Sequence, residues 1–227
     1  MPDPHTGITL VNELNLLAAG LFLLATFALV ATRQVLDCVA LFSGQSVLLA
    51  ASAALRGHEA ASNHLYAVAV ITVVAKAVLI PWLLRRTASE AVVARREISQ
   101  VLNIPTSLLL ALGLAILAYF LAAPLGAVSP GGQVGVNLPI GLATLLIGAF
   151  TVTVRREALP QVLGLLSMEN GAFFAGVAVA PDLPLFAELG AAFDVLVIAL
   201  VMGLLTRQLH ERAGSTAVAD LTDLREG

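Results

Sequence analysis

Residues 160–180 read PQVLGLLSMENGAFFAGVAVA, an apolar run with one carboxylate, Glu169, near its centre. Roughly 20 apolar residues are the length that a helix needs to cross the hydrocarbon core of a bilayer. A charge in the middle of such a helix costs about 3 kcal/mol or more unless it has a partner or water. The stretch therefore predicts a transmembrane helix whose Glu169 faces other helices or a wet cavity instead of lipid.

The composition extends this prediction to the whole chain. Of its 227 residues, 59% are hydrophobic and 12% are charged, whereas soluble domains carry roughly 25% charged residues. The 12 basic residues stand against 15 acidic ones, which leaves no basic face for nucleic acid. Cys38 is the single cysteine, so an intrachain disulfide and multi-cysteine metal or iron–sulfur centres are excluded. The sequence predicts an all-α integral membrane protein, and any redox chemistry is expected to take place outside this chain.

Seven apolar segments have the length of a membrane-spanning helix, and Pro or Gly-containing turns separate several of them. We expect one transmembrane domain over residues 1–207 and a polar cytoplasmic tail over 208–227. The first segment lacks the basic start of a signal peptide, so we expect it to remain as an anchor. The predicted segments are Val11–Ala31, Val35–Leu55, Leu65–Leu84, Ile104–Ala123, Asn137–Val154, Pro160–Ala180 and Leu185–Thr206.

Basic residues predict the orientation, because cytoplasmic loops of membrane proteins collect Arg and Lys. With seven crossings, Arg56 alone falls on one side of the membrane. The N-terminus is therefore expected outside and the C-terminus in the cytoplasm. The ten residues on the other side are Arg33, Arg85, Arg86, Arg95, Arg96, Arg155, Arg156, Arg207, Arg212 and Arg225.

Lys76 stands in the middle of the third segment, about eight residues from either flank. A lysine at this depth reaches the interface only marginally, so we expect it to be buried, either in its uncharged form or with a carboxylate partner. Pro81 removes one backbone hydrogen bond nearby and is expected to bend the helix. The alternative for Lys76 is an ion pair that does no more than hold helices together. Asp37, about two residues from a predicted cytoplasmic end, is best interpreted as an interfacial carboxylate.

Glu169 is accompanied by residues that suit a buried polar site. Asn170 and Ser167 supply hydrogen-bonding capacity, and Gly164 and Gly171 allow a neighbouring helix to approach closely. A carboxylate held in such surroundings is able to exchange a proton near neutral pH.

A second intramembrane carboxylate, Asp194, follows the small residues Gly190-Ala191-Ala192 in the seventh segment. The short turn between segments six and seven predicts antiparallel neighbours, so Glu169 and Asp194 are expected to share one polar track; a purely structural pair is the alternative. No nucleophile stands beside a base, and no catalytic residue is predicted. His58, Glu59 and His64 could bind a metal ion, but a solvated loop is the better interpretation.

Two stretches hint at an internal repeat. Residues 33–39, RQVLDCV, and 156–162, REALPQV, share Arg, Leu and Val at the same spacing. Each opens a helix that is followed by another with a central charge, Lys76 or Asp194. The pattern suggests that residues 11–86 repeat a three-helix module over 141–207 in the same direction.

Residues 155–170, RREALPQVLGLLSMEN, resemble the first cytoplasmic loop and second helix of subunit K of respiratory NADH:quinone oxidoreductase, and 221–227, LTDLREG, resemble the end of that subunit. The chain as a whole, with Ile71–Pro81, ITVVAKAVLIP, and Met168–Gly171, MENG, is more similar to component E of hydrogenase-4. The latter resemblance covers almost the entire sequence.

These resemblances imply a subunit-K-like module over 141–207 and a buried glutamate in its second helix. In subunit K that glutamate follows a Gly-Leu pair, where this chain has Leu166; Glu169 stands three residues later, on roughly the same helix face. The depth differs by about 4.5 Å along the axis. Asp194 falls near the glutamate of the third helix of subunit K.

The resemblance also implies a function and partners. The chain would be a membrane subunit of a formate-hydrogenlyase-type complex in a prokaryotic cell membrane, beside antiporter-like and quinone-oxidoreductase-like chains, with peripheral nickel–iron hydrogenase and iron–sulfur subunits. It would hold no cofactor or metal centre of its own. Lys76, Glu169 and Asp194 would form part of a lateral proton path, coupled through their charges. A passive spacer is also compatible with these residues. Two further alternatives are a subunit of a multi-subunit cation/proton antiporter and a purely structural membrane anchor.

Overall fold

The computed structural model describes residues 4–87, 101–128 and 134–180, together with the single positions 190 and 203. Every element in this part of the chain is a helix. The third span is interrupted by a π-helical segment, so it contains α3, the π segment and α4. In chain order the elements are α1 (Pro4–Ala31), α2 (Val35–Ala60), α3 (Asn63–Thr72), the π segment (Val73–Leu79), α4 (Ile80–Thr87), α5 (Ile104–Val128), α6 (Val134–Val154) and α7 (Ala158–Val179).

Six helical stretches of the described part are long and apolar enough to cross a membrane. They confirm the predicted all-α, multi-pass class and match the first six predicted segments to within a few residues. The seventh segment, Leu185–Thr206, and the tail over 208–227 lie outside the described residues. The spans are Leu10–Ala31, Val35–Glu59, Asn63–Arg85, Ile104–Gly126, Val134–Val154 and Ala158–Val179.

Four helices form the centre of the bundle. Helix α1 packs on α2 and α6, and α7 packs on the same two helices from the other side, so each of the four has two neighbours within the group. Helix α5 lies against α6 and α1, whereas α3 and the π segment lie against α2. Side chains that point inward from these four helices therefore share one interior.

Glycines set the close approach of α6 and α7. A methyl group added at Gly148 would lie 2.5 Å from the backbone nitrogen of Met168, and one at Gly141 would lie 2.5 Å from that of Ala175. Gly164 and Gly171 of α7 face α6 backbone in the same way. Small residues that let backbones touch are the usual means of helix association in lipid. The prediction that Gly164 and Gly171 permit close packing is confirmed.

The π segment surrounds Lys76, the fourth of its seven residues. Pro81 lacks the N–H that would bond the carbonyl of Ala77 in a regular α-helix. Ser43 of α2 donates its hydroxyl to the oxygen of Ala77 instead, at 2.7 Å. A side-chain hydrogen bond from α2 thus replaces the backbone bond that Pro81 was predicted to remove, and the accepting carbonyl belongs to the π segment.

Arg155 ties the end of α6 to the end of α1. Its Nη2 donates to the carbonyl oxygens of Leu29, Val30 and Thr32 at 2.9, 3.0 and 2.8 Å. The last carbonyls of a helix have no partner within the helix and carry a partial negative charge, so a guanidinium satisfies both needs. Burial lowers the pKa of Arg155 from its usual value, yet arginine starts so far above neutral pH that it stays charged.

Candidate functional site

The centre of the bundle contains a buried ion pair between Lys76 and Glu169. The ammonium nitrogen Nζ lies 2.5 Å from Oε1 of Glu169, and the two residues are 3% and 9% exposed. Glu169 is the twelfth of the 22 residues of α7, so the pair lies near the middle of the membrane-spanning stretch. The carboxylate partner expected for Lys76 is therefore Glu169.

Further groups around Lys76 reduce the cost of its burial. The ammonium also donates to Oδ1 of Asn170 at 3.3 Å, and it lies 6.0 Å from the centre of the Phe173 ring. An aromatic face attracts a cation at this range. A buried pair is tolerated when its remaining donors find partners, and α7 supplies carboxylate, amide and ring within five residues.

Neutral side chains extend the pair into a network across the four central helices. Asn170 donates to Gln45 Oε1 at 3.3 Å and to Ser46 Oγ at 3.1 Å. Gln45 donates to Thr26 Oγ1 at 2.8 Å and to Ser167 Oγ at 3.0 Å. The hydroxyls of Thr26 and Thr144 are 3.2 Å apart. We call these residues the charged network; its members are Thr26, Gln45, Ser46, Lys76, Thr144, Ser167, Glu169 and Asn170.

Apolar layers border the charged network at both ends. Toward the start of α1, Phe22 stacks on Phe174 at 4.6 Å between ring centres, and Leu49 packs with them. Toward the end of α1, the chain provides a larger group of buried apolar side chains. This second layer contains Leu29, Val39, Phe42, Ile80, Leu84, Leu163 and Leu166. In the described part of the chain, the hydrogen bonds of the charged network therefore run across the bundle, with a buried apolar cluster on either side of them.

A second polar cluster lies beyond the Phe22–Phe174 layer. Asn15 donates to Asn137 Oδ1 at 3.3 Å and accepts from the hydroxyl of Ser52 at 2.6 Å. All three residues are buried and none carries a charge. The gap between this neutral cluster and Phe174 leaves no room for a water molecule. The two clusters are therefore separate sites within one bundle.

The predicted site residues fall into three groups in the structure. Lys76, Glu169, Asn170 and Ser167 come together in the charged network. Asp37 stands apart, exposed in the first turn of α2, where a negative charge faces the positive end of the helix dipole. Asp194 lies outside the described residues. Gly190, four residues before it, is described, and a methyl group there would lie 3.8 Å from Oε1 of Glu169.

Sequence reasoning did not select Thr26, Gln45, Ser46 and Thr144. A single hydroxyl or amide in an apolar run is too common to single out. One signal was available for two of them: Gln45-Ser46 stands in the middle of the second span, as Glu169-Asn170 stands in the sixth. In the proposed repeat, which relates residue 33 to residue 156, Ser46 corresponds to Glu169.

His58, Glu59 and His64 do not form a metal site, since no group of three His, Cys, Asp or Glu side chains that could hold a metal ion occurs in the described residues. Glu59 pairs with Arg56, with 3.0 Å between Oε2 and Nη1. His58 Nδ1 lies 3.4 Å from the hydroxyl of Tyr66. The solvated loop predicted for these residues is wrong, because His58 and Glu59 belong to the last turn of α2 and His64 belongs to the first turn of α3.

Comparison with known proteins places this architecture in a family. The chain is 34% identical over 209 residues to the uncharacterized protein Rv0085 of Mycobacterium tuberculosis, an alignment that covers 92% of this chain and 93% of the relative. The chain belongs to the family of Rv0085. No protein-family model matches the sequence. No solved structure matches it either.

A second similarity also spans the full length. The chain is 26% identical over 228 residues to hydrogenase-4 component E of Escherichia coli (strain K12), which covers 97% of this chain and 99% of the relative. The same component of Shigella flexneri matches to the same extent. The predicted resemblance to hydrogenase-4 component E is confirmed as a similarity. The resemblance to subunit K does not appear among these relatives and stays a prediction.

Proposed function

We propose that the chain is a membrane subunit of a complex-I-related nickel–iron hydrogenase of the hydrogenase-4 type, in a prokaryotic cell membrane. Its contribution is proton transfer coupled to electron transfer. The partners in this proposal are antiporter-like and quinone-oxidoreductase-like membrane chains and peripheral hydrogenase and iron–sulfur subunits. The full-length similarity to hydrogenase-4 component E supports the assignment to such a complex.

The observation that carries the proton-transfer role is the Lys76–Glu169 pair at mid-membrane depth. A buried ion pair is seldom needed for stability, since neutral groups of similar volume hold a protein together as well or better. Ionisable groups inside membrane spans mark proton and ion pathways by default. Glu169 can accept a proton and Lys76 can donate one, so the pair changes its charge state without a further cofactor.

The direction of transfer in this proposal is lateral. Buried apolar clusters flank the network on both sides in the described part of the chain, which supports a lateral direction. A methyl group at position 190 would lie 3.8 Å from Oε1 of Glu169, and Asp194 follows four residues later in the sequence. Asp194 is therefore retained as the next carboxylate. The orientation, with the N-terminus outside and the C-terminus in the cytoplasm, also belongs to the proposal.

The assignment to a complex is tested by purifying the tagged chain from its native membrane in mild detergent and identifying stoichiometric partners by mass spectrometry. We expect a nickel–iron hydrogenase large subunit with iron–sulfur proteins. Recovery of antiporter-type membrane chains without a hydrogenase would support the antiporter alternative instead. Recovery of the chain alone would overturn both.

The proton role is tested by the charge-free variant Lys76→Met/Glu169→Gln in the assembled complex. Because no charge is left unpaired, we expect the variant to fold and assemble. Electron transfer to an artificial acceptor should persist, whereas proton movement across reconstituted vesicles should fall severalfold. A structural anchor predicts that both activities survive, and that result would contradict the proton-transfer role.

A further inference from the structure

Gln45 belongs to a chain of hydrogen bonds that starts at Lys76 and runs in one direction. Lys76 Nζ donates to Asn170 Oδ1, and Asn170 Nδ2 donates to Gln45 Oε1. Gln45 Nε2 then donates to hydroxyl oxygens of Thr26 and Ser167. Each amide therefore presents its oxygen toward Lys76 and its NH₂ group away from it.

The ammonium dictates this direction. Lysine has three donors and no acceptor, so the nearest amide has to offer its oxygen. The NH₂ group of Asn170 then faces away and needs an acceptor, which Gln45 Oε1 provides; Ser46 Oγ provides a second at 3.1 Å. Gln45 is completely buried, so its own NH₂ group needs protein acceptors. Hydrogen bonds aligned in this way polarise one another in a low-dielectric interior.

We propose that Gln45 is a positioning residue for the Lys76–Glu169 pair and acts through Asn170. Its oxygen holds Asn170 with Oδ1 toward Lys76, and the two aligned amide dipoles stabilise the ammonium beside Glu169. Gln45 donates to neither charged group and accepts from neither in these hydrogen bonds, so it acts on the pair by orienting the side-chain amide of Asn170. The inference deepens the proposed function and rests on it for any consequence in proton transfer, but the positioning itself is measurable without that activity.

The chain offers a matched pair of serines for the test. Ser46 and Ser52 both lie on α2 and are both buried. Ser46 accepts from Asn170 in the charged network, whereas Ser52 donates to Asn15 in the neutral cluster. Gln45→Leu, Ser46→Ala and Ser52→Ala are made in two backgrounds of the full-length protein: the wild type and Lys76→Met/Glu169→Gln. Thermal unfolding of each purified variant is then measured in one detergent.

If Gln45 positions the charged pair, the decrease in Tm caused by Gln45→Leu should be roughly half as large or smaller in the charge-free background. The reason is that the stability effects of substitutions at interacting residues are not additive. Ser46→Ala should follow the same pattern, and Ser52→Ala should lower Tm equally in both backgrounds. Equal losses for Gln45→Leu in the two backgrounds would overturn the proposal and leave Gln45 as a neutral helix contact. If Gln45→Leu fails to fold, Ser46→Ala decides by the same criterion.

The activity of the assembled complex separates this inference from the proposed function. With both correct, Gln45→Leu reduces proton movement while electron transfer to an artificial acceptor persists. If the stability coupling is present but proton movement is unchanged in the charge-free variant, the positioning stands and the proton-transfer role fails. If proton movement depends on Lys76 and Glu169 without any coupling to Gln45, the function stands and the positioning fails.

Discussion

The charged network and the neutral cluster differ in charge although both link α1, α2 and α6. Both have members on α1, α2 and α6, and both are buried. Asn15, Ser52 and Asn137 hold the helices near the start of α1 by neutral hydrogen bonds. The charged network adds Lys76 and Glu169 from the π segment and α7 to a comparable set of amides and hydroxyls.

The difference indicates what the charges are needed for. Hydrogen bonds between membrane helices contribute about 0.6 kcal/mol on average, and the neutral cluster shows that this chain uses them. Helix association alone therefore does not require an ion pair at mid-membrane depth. Its placement on a π-helical turn, a feature often found at functional sites, agrees with this interpretation. The contrast gives four predictions, which differ in the size of the expected effect.

The largest effect is expected for Lys76→Met alone. This substitution leaves Glu169 without its ammonium partner in the bundle interior, and breaking a buried pair in this way costs about 3–5 kcal/mol. Thermal unfolding in detergent should show a large loss of stability. The charge-free variant Lys76→Met/Glu169→Gln should recover most of it.

The recovery is the informative part of this experiment. If the double variant is as unstable as Lys76→Met alone, the ion pair is required for stability. The inference from the neutral cluster, that neutral hydrogen bonds suffice to hold the helices, would then be wrong. If stability returns while proton movement does not, the charges serve function and the neutral groups suffice for folding.

The second effect concerns the glycines that allow α6, which contributes residues to both clusters, to pack closely against α7. A methyl group at Gly171 would clash with backbone atoms of Gly141, Thr144 and Leu145, and no side-chain rotation can relieve a backbone clash. Gly171→Ala should push α6 from α7 and weaken the contacts that α6 makes in both clusters, at a cost of about 1–3 kcal/mol. Gly44→Ala on α2, where a methyl group meets nothing within 4 Å, is the control and should be near neutral.

Much of the fold was predictable because membrane solvation leaves few choices. A chain that crosses lipid must satisfy its backbone within helices, so apolar length alone located the six described spans. The burial of Lys76 and Glu169 followed from the cost of a charge in lipid. Their mutual pairing did not, because nothing in the residues around 76 and 169 specifies which helices become neighbours.

The parts that sequence reasoning missed depend on tertiary contacts. Gln45 is informative only once Asn170 is known to face it, and the hydroxyl of Ser43 matters because α2 lies beside the carbonyl of Ala77. Arg155 was counted as a cytoplasmic charge, whereas its guanidinium also caps α1 from a distance of more than 120 residues in sequence. The roles of Glu169 and Asp194 in proton transfer stay predictions.

The third prediction removes a member of the neutral cluster. Asn137→Leu keeps the approximate volume and deletes the bond from Asn15 Nδ2, so we expect a loss of about 1 kcal/mol. Assembly and proton movement should be unchanged, because the Phe22–Phe174 layer separates this cluster from Lys76. A fall in proton movement as large as that of the charge-free variant would remove the distinction between the two clusters.

The smallest effect is expected at the far end of the charged network. Thr144→Val removes one hydroxyl 3.2 Å from that of Thr26, and Thr26 keeps its bonds to the Phe22 carbonyl and to Gln45. The cost should be about 0.6 kcal/mol, as for a single bond between membrane helices. Thr151→Val on the same helix is the control, since Thr151 donates within α6 to Ile147. If the stability loss of Thr144→Val instead approaches that of Lys76→Met, the neutral residues of the charged network stabilise the ion pair strongly. The contrast then lies between the two clusters as wholes and not between charged and neutral residues.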